Sequence, residues 1–494
     1  RQIMREQERV AFFKDPEFKR TLKLAEDSAD PSLARKADAY QRQAVFHRSW
    51  TKEEKARETI LLSEIQADRQ RESNWTSPDG QLDISLGRGW KSVGEQAAEL
   101  SPELFSELVS AWVDEQTNWI GTELEELIRL RNEVARREGF DSYWELALYH
   151  RGLSPEDVSA IMADLERVVL PLNQAAQARI QEASESLGVP NDFAHGPVLR
   201  TRAGLSPADS SLNAWFDADL AEERVGKAFS ELGLPTDGIQ VYTGPSRYTR
   251  PGAYSYALRP PEHVAIVLSS DRRWSTWQYS ALAHEMGLAT WWRNLPAEVA
   301  DTPIFWQPPT PWFEGIGQFF ERIILEPQFA ADHIPEFPKE HLGDLRTWRI
   351  QKTIERITRY LNVTRLEQQL YERPGQWAAL SQESAQAEKD LAGRTWDAPS
   401  SSNGLVFAEG FQSGLMLHFP AYVQNYLFAT TTEALLWQTL ESTFGVVTGN
   451  PEIGPWMIKE LIHPVSTDTS FPERLAEIAA EPDRSAAVGR YLKQ

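Results

Sequence analysis

The chain has 494 residues, 41% of them hydrophobic, with 18 tryptophans and 21 phenylalanines, enough for a large core and incompatible with general disorder. A formal net charge of -21 excludes the electrostatic footprint of a nucleic-acid or anionic-membrane binder and favours cationic ligands. The absence of cysteine excludes disulfides, thiol catalysis and cysteine-ligated metal, and no apolar run approaches the roughly 20 residues of a membrane span.

In chain order, the opening residues Arg1-Gln2-Ile3-Met4-Arg5-Glu6 lack the apolar core of a signal peptide, so a cytoplasmic location is the default expectation. From there to about Arg71, Arg, Glu, Lys, Gln and Ala alternate with apolar residues at helical spacing, which predicts amphipathic surface helices. The stretch Ser73 to Gly80 reads as a loop, and helical patterning returns from about Ser101 to Ala183. Near Gly233 the texture changes: Pro235, Gly238, Gly244, Pro245, Pro251 and Gly252 break the chain, and Val264-Ala265-Ile266-Val267-Leu268 supplies a strand-like run. Helix resumes through His284, a proline-rich loop runs from Pro303 to Pro311, a further helix begins near Phe313, and most of the remainder is helical. The expectation is a mainly α fold with one small β-sheet. Residues 1–231 form a helical N-terminal part, and residues 232–494 carry the sheet and the chemically suggestive helices. No internal repeat or low-complexity linker interrupts them.

The most informative segment is Ala283-His284-Glu285-Met286-Gly287-Leu288-Ala289. In a His-Glu-x-x-His helix, two imidazoles four residues apart share one face and bind zinc, while the glutamate activates the metal-bound water. Here Leu288 stands where the second imidazole belongs. Glu314, on the next helix, suits the third ligand of such a site, or equally a carboxylate favoured at a helix start. The segment Leu417-His418-Phe419-Pro420-Ala421-Tyr422-Val423-Gln424-Asn425-Tyr426 offers a histidine and tyrosines able to donate to an oxyanion, or simply aromatic core. His263, His333, His341 and His463 are available as a replacement ligand, but nothing in the sequence points to any of them.

Taken in order, Arg250-Pro251-Gly252-Ala253-Tyr254-Ser255, the strand from Val264, the segment Tyr279 to Gly287, Glu314-Gly315-Ile316-Gly317-Gln318-Phe319-Phe320-Glu321 and His418 to Tyr426 resemble the thimet-oligopeptidase and oligoendopeptidase family. His284 to Gly287, Glu314 to Gly317 and Leu130-Arg131-Asn132-Glu133-Val134-Ala135-Arg136 lean toward the related angiotensin-converting-enzyme family. The resemblance spans roughly residues 100–450 and rests on an ordered set of motifs.

It implies a two-lobed helical metallopeptidase with a long central cleft, acting as a single catalytic unit and a monomer on short peptides. It implies one zinc ion held by His284 and Glu314, with Glu285 as general base. His418 and Tyr426 would contact substrate and oxyanion, with Tyr422 beside them. The strand at Val264 would pair with an extended peptide, approached closely at Gly252, Ala253 and Tyr254. Leu288 departs from the pattern and leaves two protein ligands where three are usual. Three readings follow: a peptidase disabled at its metal site, a non-catalytic peptide-binding relative or repurposed metalloenzyme, and a helical scaffold in which the matches are coincidental.

Overall fold

The computed structural model describes residues 12–69, 73–86, 100–192, 195–205, 212–245, 252–269, 275–299, 302, 308–394, 415–480 and 483–493. The elements that carry the argument are α1 (Lys52–Arg69), β1 (Asn74–Thr76), β2 (Asp83–Ser85), α2 (Pro102–Thr117), α3 (Thr122–Arg137), α4 (Tyr143–His150), α5 (Pro155–Leu187), β3 (Ile239–Gly244), β4 (Ala253–Arg259), β5 (His263–Ser269), α6 (Ser275–Arg293), α7 (Thr310–Leu325), α8 (Leu342–Glu372), α9 (Leu415–His418), α10 (Asn425–Phe444) and α11 (Arg484–Tyr491). The fold is mainly α with small sheets, as the sequence pattern predicts. Arg250, Pro251 and residues 303–307 of the proline-rich loop lie outside the described residues. Among the described residues, no helix is long and apolar enough to cross a membrane.

Two compact units divide the chain, and each is assembled from two separate stretches. The first comprises Arg1–Ala203 and Arg356–Gln424; the second comprises Gly204–Glu355 and Asn425–Gln494. This division does not follow the expected boundary between 231 and 232, because α8 runs through 355/356 and residues 356–424 return to the first unit. Return crossings of this kind leave no mark in local composition.

In the first unit, local signals place the helices. Ser154 and Asp157 form a reciprocal capping box at the start of α5, and Gly188 ends that helix at φ 68°. The expected loop over 73–80 is instead the first strand and turn of a β1–β2 hairpin, with Trp75 opposite Ile84. Ile84 belongs to an apolar cluster with Leu108 and Trp112 of α2, and burial of these side chains outweighs the turn-rich composition. The Pro78-Asp79-Gly80 turn signal survives at the tip, where Gly80 has φ 70° and donates its N–H to Ser77 O.

A buried charge ties distant segments of this unit together. The Arg131 guanidinium on α3 reaches Glu58 of α1 at 2.8 Å, the Tyr371 hydroxyl of α8 at 3.2 Å and the Leu417 carbonyl of α9 at 2.7 Å. Asn132 beside it donates to Tyr371 O and accepts from Tyr143 N. Each of the three Arg131 nitrogens thereby makes a hydrogen bond, one of them to a carboxylate, and a buried cation is tolerated when so paired.

In the second unit, α7 packs against both α6 and α10. Glycines make the approach possible: a Cβ on Gly287 would stand 2.3 Å from the Phe320 ring, and one on Gly315 would stand 2.4 Å from Thr432. A glycine inside a helix costs roughly 1 kcal/mol, so these positions exchange helix propensity for close packing. The three-stranded sheet has the order β3-β5-β4, with β3 parallel and β4 antiparallel to β5. Central β5 is the apolar run seen in the sequence, as expected for a strand covered on both faces.

Candidate metal and peptide site

Helix α6 presents His284 and Glu285, and α7 presents Glu314 and Glu321. His284 Nε2 lies 3.4 Å from Glu314 Oε2, and His284 Nδ1 lies 2.6 Å from Glu321 Oε1. Gly317 creates the space for the imidazole, since a Cβ there would stand 2.3 Å from the ring. Glu321 carries no expected role in the motif, yet its spacing of two helical turns from Glu314 puts both carboxylates on one face.

The electrostatics follow from burial and pairing. Burial opposes a charged His284, but hydrogen bonds to Glu314 and Glu321 and their negative charge outweigh it, and the imidazole is held well above its ordinary value. Burial raises Glu285 above the usual carboxylate range, while His284 and hydrogen bonds from the Ser255 side chain and backbone pull it back. The cluster is thus an imidazolium between two carboxylates, with a third carboxylate adjoining it.

Two ligands each about 2.0–2.1 Å from zinc at tetrahedral angles stand roughly 3.4 Å apart, so the His284–Glu314 separation suits a shared metal in distance and donor type. The number of donors falls short. Leu288 follows His284 by one helical turn, is buried, and carries no lone pair. Among the described residues, no group of three or more His, Cys, Asp or Glu is placed to hold a metal ion. The residues present therefore do not make up the three-ligand zinc set, and no zinc chemistry is derived for this chain.

The sheet corrects one expectation. Val264 lies on β5, fully buried, with β3 bonded on one side and β4 on the other, so it has no edge to offer a peptide. Strand neighbours are set by long-range pairing that the Val264 run does not encode. The outer sides of β3 and β4 are the two edges left open among the described strands, and β4 is the one joined to Glu285 through Ser255. Ser269 N donates to Gly252 O, which fixes the alternation: residues 252, 254 and 256 bond inward, and 253, 255 and 257 turn N–H and C=O outward. Ser255 is one of these, and its hydrogen bonds to Glu285 join the strand edge to the charged cluster.

Gly252 begins this strand at φ 129°, a conformation that side chains avoid, and a Cβ there would meet the Tyr254 hydroxyl at 3.3 Å. Ala253 pairs with Leu268 and Tyr254 with Val267. The structure therefore brings His284, Glu285, Glu314, Leu288 and the Gly252–Tyr254 segment together within the second unit. Tyr426 is in the same unit, in the first turn of α10, where its carbonyl accepts from Thr430 Oγ1. His418 and Tyr422 belong to the first unit. His418 is exposed at the end of α9, and Tyr422 lies with its ring 5.6 Å from the Arg151 guanidinium.

No family model matches this chain, and no curated protein matches it in sequence. Solved structures do. PZ peptidase A, determined with an inhibitor, aligns over 96% of this chain and 83% of its own at TM-score 0.64 and 14% identity. The M32 carboxypeptidase from Deinococcus radiodurans R1 aligns over 98% of this chain and 88% of its own at TM-score 0.59 and 13% identity. Metallocarboxypeptidase 1 of Trypanosoma cruzi aligns over 97% of this chain and 88% of its own at TM-score 0.60 and 13% identity. The chain accordingly has the mainly α-helical fold of these metallopeptidases.

Proposed function

We propose that this chain is a peptidase-fold protein that engages short peptides and is disabled for their hydrolysis at its metal site. The observation that carries this reading is the pairing of His284 with Glu314 at ligand-like separation, with buried Leu288 one helical turn on from His284. In this reading the change is confined to position 288, since Glu314 and Glu321 flank the imidazole, Glu285 adjoins it and Gly317 leaves room for it.

The peptide would add to the outer edge of β4 by main-chain hydrogen bonds, with outward groups at 253, 255 and 257 as its partners. Glu285 takes one of these donors at Ser255 and would stand beside the bound chain. Tyr426, in the same unit as β4, would donate to a substrate carbonyl, as the family resemblance implies, and His418 and Tyr422 of the first unit are the further residues that the resemblance assigns to substrate contact. The net charge of -21 favours peptides with basic side chains.

The experiment is a comparison of the chain with its Leu288→His variant. Metal content is read by mass spectrometry, and peptide cleavage by a quenched fluorescent substrate. Zinc and cleavage gained together in the variant support the reading; a zinc-loaded but inert variant contradicts it. Peptide affinity of the unaltered chain in the presence of a chelator tests the binding half on its own.

A further inference from the structure

The segment between α9 and α10 contains the one non-glycine residue with positive φ among those described, Ala421 at 53°. An alanine is held in the left-handed region only where its surroundings over-determine it. Here the surroundings are specific. The Ala421 N–H donates to Glu367 Oε1 on α8 at 2.9 Å, and the Gln424 side chain donates to the Ala421 carbonyl. Arg131 fixes the start of the segment through Leu417 O at 2.7 Å, and Arg151 lies over Tyr422 at 5.6 Å.

Glu367 is wholly buried, and its second oxygen has no hydrogen-bond partner among the described residues. A buried carboxyl with one oxygen unused is an expensive way to pack a helix, since leucine would fill similar space without desolvation. The bond that it does make is to the backbone of Ala421, between His418 on one side and Tyr422 and Asn425 on the other. The charged and titratable groups facing Glu367 are Arg131 of α3, Arg151 after α4 and Tyr371 of its own helix. None of them replaces it as acceptor for Ala421.

We propose that Glu367 is a positioning residue that holds the 418–424 segment, through Ala421, in the conformation that presents His418 and Tyr422 to a bound peptide. This rests on the peptide-binding reading above for its functional half. Either protonation state of the carboxyl offers Ala421 an acceptor oxygen, so the role is one of geometry.

The test is hydrogen exchange of the full chain, read as protection factors for residues 419–424, beside the affinity of a fluorescein-labelled arginine-containing hexapeptide. Glu367→Leu removes the acceptor, and should lower protection of the Ala421 amide and weaken the peptide by about tenfold each, the scale of one buried hydrogen bond to a charged group. Glu367→Gln keeps an acceptor oxygen and should retain both within a factor of about two. Adding Ala421→Gly to Glu367→Leu should leave the amide unprotected. Unchanged Ala421 protection in Glu367→Leu overturns the proposal. If that variant does not fold, Glu367→Met, which also removes the acceptor oxygen, is read in its place beside Glu367→Gln: Ala421 protection lost in the first and kept in the second supports the proposal, and equal protection in both overturns it. Should the hexapeptide fail to bind even the unaltered chain, the peptide reading falls, and the exchange result still decides whether Glu367 orders the segment.

Discussion

The two units each bury charge, and they do so in opposite ways. In the first, Arg131 meets Glu58, Tyr371 and a main-chain carbonyl, so each guanidinium nitrogen has a partner, drawn from α1, α8 and α9. In the second, His284 is answered by Glu314 and Glu321, yet beside it stands Leu288, an apolar group at the place where the motif calls for a donor. The first arrangement reads as a structural tie. The second is the cluster for which we propose a reaction site with one part exchanged, and Glu285 links it to the β4 edge through Ser255. Buried charge alone does not mark function; the distinguishing feature is whether the donors are complete.

Breaking the complete network should have the largest effect. Glu58→Ala leaves Arg131 buried without its carboxylate, and should cost about 3–5 kcal/mol in urea denaturation. The corresponding change in the second unit, Glu321→Gln, keeps a hydrogen-bond acceptor and should cost far less, while lowering the His284 titration midpoint seen by NMR.

A pH series separates the units further. Burial pushes Glu367 up to about 7, against the pull of the Ala421 N–H, Arg151 and Arg131. Because its folded value exceeds its unfolded one, its contribution to stability is fully present below about 4.5 and is lost as pH rises through about 7. At about 1.4 kcal/mol per tenfold, the loss is roughly 3 kcal/mol, and Glu367→Gln should flatten that part of the stability profile.

Gly317→Ala should come next, at about 2 kcal/mol, because the added methyl drives into the His284 ring. The expected readout is a lower urea midpoint together with a shifted His284 resonance. Ala421→Gly has the smallest expected effect, a gain below about 1 kcal/mol: relief of the left-handed alanine is partly offset by the greater freedom of glycine in the unfolded chain.

Much of this was legible in the sequence. Helical spacing located the long helices, the Val264 run located β5, and the order of the motifs anticipated the peptidase fold. The His284, Glu285 and Glu314 assignments identified side chains that do come together. What escaped was long-range. The place of β5 in the middle of the sheet depends on partners outside its own run, and the hairpin at Trp75 depends on an apolar cluster from α2. Glu367 looks like any helical glutamate until the fold brings Ala421 to it. The division into units follows from residues 356–424 returning to the first unit, which no local pattern signals.

The most direct test of the central claim is zinc content per chain, measured for the unaltered protein and for Leu288→His after the same exposure to zinc, with hydrolysis of the quenched peptide followed in both. The expected result is substoichiometric zinc and no turnover with Leu288, and about one zinc per chain with turnover once an imidazole stands at 288. Stoichiometric zinc and turnover already present with Leu288 would contradict it.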